Sequence, residues 1–241
     1  MDDAALVDRM LKKFDRAKSN RTNFESIFEQ CYEFALPMRQ SFYHEVAGQR
    51  RDDKIFDETA VVGVQEFASR LQSGLVPNFA RWADFIAGSE VPPEQQDTVN
   101  NELDEVTDYV FEIIQNSNFG QEIHESFMDL AVGTGVLLVE EGDAINPVRF
   151  NAIPLPNVNL DTGPDDKIDH VYRERSLKIS DLAVAYPKGF VSEKTIRQMQ
   201  SEPDKKVKIL EIVCRNYSEL NEEKHDYYVI NCDDREMIYY E

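Results

Sequence analysis

The sequence predicts an α+β fold, with N-terminal helices followed by a mostly antiparallel β-sheet region. Two contrasts carry this expectation. Through residue 132, apolar side chains recur at three- and four-residue intervals, the period of an amphipathic helix. From residue 133 onward they fall into short runs rich in Val, Ile, Leu and Tyr, separated by Gly, Asp and Pro turns. Helices grouped ahead of strands give the α+β order, not the alternation that builds a parallel sheet.

Each element has its own signals. Leu6, Met10, Phe14 and Ala17 share one face of a first helix. Thr22 and Glu25 fit a capping box, so a second helix is expected to start there. It carries Phe24, Ile27, Phe28, Cys31, Phe34 and Ala35 and stops at Pro37. Residues 38–56 lack periodicity and read as a long polar connection. Asp57 or Thr59 caps a third helix, with Val61, Val64, Ala68, Leu71 and Leu75 inward, ending at Pro77. Pro92 and Pro93 open a fourth, with Val99, Leu103, Val106, Val110 and Ile113 expected in the core. Its opposite side is acidic, with Glu102, Asp104, Glu105, Asp108 and Glu112. A short helix around Ile123, Phe127 and Leu130 ends at Gly133.

Strands are expected at 135–141, 147–153 and 168–177, then at 206–215, 225–231 and 235–241, with brief helices at 180–186 and 192–200. No internal repeat or low-complexity linker interrupts the chain. One continuous region over 1–241 is therefore expected, helical over 1–132 and β-rich over 133–241. The last run stops in mid-strand at Tyr239 and Tyr240, which suggests a piece of a longer protein.

Composition narrows the function classes. At 241 residues, 41% hydrophobic and 30% charged, the chain has a globular balance. No stretch approaches the roughly 20 consecutive apolar residues of a membrane span, and the acidic start lacks the features of a signal peptide. A soluble protein made in the cytoplasm is expected. Cys31, Cys214 and Cys232 are odd in number and widely spaced, which fits ordinary thiols and not a disulfide framework or a zinc knuckle.

The net charge of −20 is unevenly distributed. Residues 61–170 hold only Arg70, Arg81, Arg149 and Lys167 against 20 acids, a net −16, while each flank is close to balance at −2. A nucleic-acid reader needs a basic stripe to neutralise phosphates. Tight DNA binding is therefore not expected. The acids either keep the surface soluble or keep it from sticking to DNA that lies near it.

Motifs for chemistry fail on inspection. Gly133-Thr134-Gly135 has neither the Lys-Ser/Thr of a P-loop nor the third Gly of a dinucleotide site, and it leads from helix to strand, the reverse of a phosphate cradle. Asp161, Asp165, Asp166 and Asp169 resemble a calcium loop only superficially, because Gly163 is misplaced and strands flank the segment. A reverse turn is expected there. His44, His124, His170 and His225 are dispersed, and no nucleophile elbow occurs. No catalytic, cofactor-binding or metal-binding residue is assigned, no cofactor is expected, and DNA-contacting residues stay unknown. Trp82, the single tryptophan, is expected to plug the core beside the turn that follows Pro77.

An ordered set of segments has a family likeness. An Arg21-containing turn precedes an aromatic helix that ends in Leu36-Pro37-Met38-Arg39. Gly48 and Ile55-Phe56-Asp57-Glu58-Thr59-Ala60 come next, then Leu71-Gln72-Ser73-Gly74-Leu75-Val76-Pro77 and Arg81-Trp82. Gly133-Thr134-Gly135, Phe150 to Pro156, Asp161, Gly163 and Val171-Tyr172-Arg173-Glu174 complete it. In this order the chain resembles the head-to-tail connecting (portal) proteins of short-tailed phages. Family members often carry Arg where Met38 stands and Trp where Phe24 stands, differences that touch packing.

The resemblance implies a structural virion protein, a homo-oligomeric portal. It would form a dodecameric ring at one capsid vertex, with a channel for double-stranded DNA during packaging and ejection. Its implied partners are itself, capsid and scaffolding proteins, the packaging terminase, a tail adaptor and the passing DNA, weakly contacted. Its implied locations are the virion vertex and, during assembly, the host cytoplasm. No hydrolytic activity of its own is implied. Family members are about twice this length, so these residues correspond to the N-terminal wing, with stem, clip and crown absent. The alternatives are another virion component, such as a small helical adaptor or a scaffold, and a cytoplasmic hydrolase built from scattered acids.

Overall fold

A computed structural model of the chain describes residues 3–39, 55–217 and 224–241. Gly48 and most of the expected connection at 38–56 lie outside the described residues. The helices-then-sheet order holds. The elements are α1 (Asp3–Ala35), α2 (Thr59–Leu75), α3 (Pro93–Asn116), α4 (Phe119–Leu130), β1 (Val136–Glu141) and β2 (Val148–Ile153). There follow β3 (Val158–Thr162), β4 (Ile168–Lys178), α5 (Leu182–Ala185), α6 (Glu193–Ser201), β5 (Lys206–Asn216), β6 (Lys224–Asn231) and β7 (Glu236–Tyr240).

Two helices were expected where α1 runs unbroken, and the expected capping box explains the difference. The Thr22 hydroxyl donates to the Lys18 carbonyl at 3.0 Å, so it is satisfied one turn back inside the helix instead of capping a new one. The chain leaves the helix after Ala35, ahead of Pro37. At α2 the Asp57 carboxylate accepts the Thr59 hydroxyl and also the Thr59 amide at 2.7 Å, and these two bonds, the hydroxyl's first, hold its pKa below the usual carboxylate range. Pro92 and Pro93 stand at the start of α3 as expected.

The chain divides into two compact units, one of residues 1–26 with 156–241 and one of residues 27–155. The first is built on a five-stranded antiparallel meander in the order β3-β4-β5-β6-β7. Strand β3 was not expected; its five residues include Asn159 and Asp161, which disguise it. Helices cover both faces of the sheet. Val7, Met10, Phe14 and Ala17 of α1 pack on Tyr172, Leu210, Ile212, Cys214 and Ile230. On the other face Ile179, Leu182 and Tyr186 pack on Val207, Ile209, Val229 and Ile238. Because both faces are covered, β5 is apolar at almost every position from Val207 to Cys214. Each of the buried side chains Val207, Ile209, Leu210 and Ile212 contributes about 1.5–3 kcal/mol of transfer free energy. The turn between β3 and β4 closes through the Gly163 amide on the Lys167 carbonyl at 2.9 Å, with Asp166 in the left-handed region at φ 55°.

In the second unit α4 packs against α2 and against the β1–β2 hairpin. Tyr32, Leu36 and Leu155 are buried together, with Phe28, Val64, Met128 and Val132 around them. Helix α3 departs from its expected burial. Its buried residues are Thr107 and Phe111, whereas Val106 is 48% exposed. The cause is the extended segment 81–88, which runs along a different side of the helix. The Phe85 amide donates to the Thr107 hydroxyl at 3.2 Å and the Ala87 amide to the Asn100 side chain at 2.8 Å. At 100° per residue, this packed side lies about 90° from the centre of the Val99–Ile113 stripe.

Candidate functional site

Most of the family-like segments that the structure describes lie in the second unit, where Leu36-Pro37-Met38-Arg39 leads onto one buried carboxylate. Asp129 lies on α4 among apolar neighbours and has no solvent exposure. It accepts the Tyr32 hydroxyl at 2.5 Å and the Arg39 guanidinium, while a second arm of Arg39 reaches Glu125 at 2.5 Å. Pro37 ends α1 so that Arg39 can turn back onto α4. Burial drives the Tyr32 hydroxyl well above its ordinary pKa, and the neighbouring Asp129 charge adds to this. Burial also opposes the charge on Arg39, but its bonds to Asp129 and then Glu125 outweigh that and hold its pKa above the ordinary value.

The adjoining glycine turn is fixed by contact distances. A side chain at Gly133 would meet Leu155 and Phe28 at 3.3 Å, and one at Gly135 would lie 2.5 Å from the Ser126 carbonyl oxygen. Gly133-Thr134-Gly135 is thus a close-packing turn between α4 and β1. On β2 the Ala152 amide donates to Glu122 at 2.7 Å and the Phe150 amide to Asn118 at 2.9 Å, so α4 covers that strand's outer edge.

Arg81 and Trp82 stand beside α3. Arg81 bonds Asp104 at 3.0 Å and Asp108 at 2.9 Å and also reaches Asp84. Trp82 stacks on Phe119 at 6.1 Å and meets the edge of Phe111 at 5.3 Å, yet stays 40% exposed. It therefore covers an aromatic cluster instead of plugging a core. The rings, together with Asn78 and Gln115, border an open cavity of about 280 Å³ that contains no ionisable group.

Two polar networks occupy the first unit. His170 lies 2.7 Å from Asp169 through Nδ1 and 3.1 Å from Lys13 through Nε2, while the Tyr217 hydroxyl donates to Asp169 at 2.8 Å. Burial works against the Asp169 charge, but the bonds from His170 and Tyr217 prevail and lower its pKa. A Cβ at Gly163 would fall 2.2 Å from the Asp169 carboxylate, which accounts for the glycine. In the second network Arg173 and Arg175 each hold Glu211 at 3.0 Å, and the Tyr186 hydroxyl donates to the same carboxylate at 2.5 Å. Arg21 donates to the Pro156 and Val158 carbonyls at 2.9 and 2.5 Å and tethers α1 to β3.

Every polar group named in these networks is engaged by a neighbour. Burial raises the Cys214 and Cys232 thiols to about 11, so neither carries a ready thiolate. Among the described residues no group of three His, Cys, Asp or Glu could hold a metal ion, and no helix is long and apolar enough to cross a membrane. Arg39, Gly133, Gly135 and Gly163 were singled out in the sequence, and the structure gives them roles in packing and clamping. Asp129 and Glu211 were missed. For Asp129 the one local signal is its place three residues after Ser126, on the buried side of α4.

A curated relative, the portal protein of Salmonella phage epsilon15, is 25% identical over 180 residues, which cover 73% of this chain and 32% of the relative. The chain thus spans about a third of the length of that relative. The family described as bacteriophage head to tail connecting protein matches residues 7–238. With nearly its whole length matched, the chain belongs to the bacteriophage head-to-tail connecting protein family.

Proposed function

We propose that this chain is the wing portion of a portal subunit, one of a closed ring of copies set at a capsid vertex around a channel for double-stranded DNA. The match to the connector family over residues 7–238 carries this reading. Stem, clip and crown would be supplied by sequence beyond these residues. The structure supports a passive, scaffold-like role, since the family-like residues serve in a clamped carboxylate, close-packed glycine turns and a tethered strand. On this reading the subunit has no catalytic turnover of its own. Its partners are other copies, capsid and scaffolding proteins, the terminase and a tail adaptor, assembled in the host cytoplasm and retained in the virion. The −16 charge of residues 61–170 suits a wall that lets DNA pass without holding it.

Negative-stain electron microscopy of the full natural gene product tests the reading. Rings with an axial hole are expected. Particles without rotational symmetry at every concentration tried would refute it.

A further inference from the structure

The offset on α3 leaves its apolar seam only partly covered: Val106 is exposed, and Val99, Leu103, Val110 and Ile113 are half-buried. Val99, Leu103, Val106, Val110 and Ile113 alternate by four and three residues, the spacing with which one helix seats against another. The helix buries Thr107 and Phe111 instead, so Val106 stays 48% exposed and Tyr109 64% exposed. Beyond the seam stand Glu102, Glu105 and Glu112, none of which forms an ion pair among the described residues, unlike Asp104 and Asp108, which share Arg81. No Lys or Arg occurs between Arg81 and Arg149.

Charge decides what this seam can receive. Two copies of the α3 face brought together by a twofold axis would set glutamates against glutamates, and α3 itself carries no Lys or Arg to offset them. The partner must therefore be a different and basic surface. The chain carries one on α1, where six Lys and Arg occur between Arg9 and Arg21 against the single acid Asp15. Lys12 and Arg16 point away from the core residues Val7, Met10, Phe14 and Ala17, are exposed, and form no ion pair among the described residues. Their methylene stems can cover apolar surface while their charged ends reach the flanking glutamates.

We propose that the outer face of α3 is a heterologous contact that receives the basic outer face of α1 from a second copy of the chain. This inference rests on the ring reading above and adds which surfaces meet. A contact between two different faces repeats from copy to copy in one rotational sense, and so it can close a ring where a twofold contact would stop at a pair.

Charge exchange in the full gene product tests the contact, with assembly followed by sedimentation velocity. Glu102→Lys, Glu105→Lys and Glu112→Lys together, or Lys12→Glu with Arg16→Glu, should each raise the concentration for half-assembly at least about tenfold. Combining the two sets should restore assembly. Rings insensitive to either set, or broken by each and not restored by both, would overturn this contact while the ring reading stands. A wild-type chain that never associates would overturn both. Should a reversed variant fail to fold, carbodiimide cross-linking of wild-type rings from mixed heavy and light chains decides the matter. A link between copies from Lys12 to Glu102, Glu105 or Glu112 is expected, and its absence would refute the contact.

Discussion

Tyr32 and Asp129, separated by almost a hundred positions, meet through a 2.5 Å hydrogen bond inside the unit formed by residues 27–155. Arg39 completes the charge balance of that carboxylate. Removing Arg39 leaves a buried anion with only a hydroxyl to compensate it. Arg39→Ala should therefore destabilise the protein by about 3–5 kcal/mol. Tyr32→Phe, which keeps the ring and the guanidinium, should cost about 1–3 kcal/mol. Urea denaturation of the three proteins checks the ranking, and equal effects would show that the pair does not act as a clamp.

The burial pattern of α3 predicts a second ranking. Phe111 is buried in an edge contact with Trp82, so Phe111→Ala should cost about 3–5 kcal/mol. Val106→Ala should cost less than about 1 kcal/mol, because its side chain is already half in water. The reverse order in thermal melts would return Val106 to the core.

Gly135→Ala places a methyl group 2.5 Å from the Ser126 carbonyl oxygen, a backbone atom of α4 that no side-chain rotation can move aside. A loss of about 1–3 kcal/mol is expected from the forced shift of α4 against β1. Unchanged stability in a chemical melt would mean that the turn has slack.

Asp169 makes stability depend on acid. Its pKa is lower in the folded state than in the unfolded chain, so the stabilisation is fully present above the ordinary value of about 3.9. It is lost as pH falls through the lower, folded-state value. In Asp169→Asn this acid-dependent loss should shrink, which melting temperatures measured from pH 6 down to pH 2.5 would show. Parallel curves for the two proteins would contradict the assignment.

Duplex DNA should bind weakly. Even sequence-independent binders with basic faces reach only about 10⁻⁴ to 10⁻⁶ M at physiological salt. Here 20 acids face four basic residues across 61–170. A dissociation constant tighter than about 10⁻⁶ M in fluorescence anisotropy at that salt would contradict the passive-wall reading.

Local punctuation made most of the fold legible. Pro37, Pro77, Pro92, Pro93 and Gly133 mark ends and starts that the structure keeps, because their backbone constraints act over one or two residues. Failures came where a local signal had a non-local answer. Thr22 had the spacing of a cap, yet its hydroxyl bonds within a helix held on the sheet by Phe14 and Ala17. The seam of α3 had the right period, but segment 81–88 decided which side was buried. Asp129 and Arg39 lie 90 residues apart and each looks like one more surface charge, so only the fold shows them as partners.

The sheet that α1 covers is encoded at the opposite end of the chain, and this dictates timing during synthesis. Phe14 leaves the ribosome long before Tyr172, against which its ring is tilted at 5.7 Å. At about 5–20 residues per second, the interval is roughly 8–30 s. Throughout that interval Val7, Met10 and Phe14 have no sheet to rest on, and by its end residues 27–155 have all been synthesised. The nascent helix is therefore open to chaperones, and to the same helix on neighbouring polysomes, until β4 to β6 emerge and enclose it.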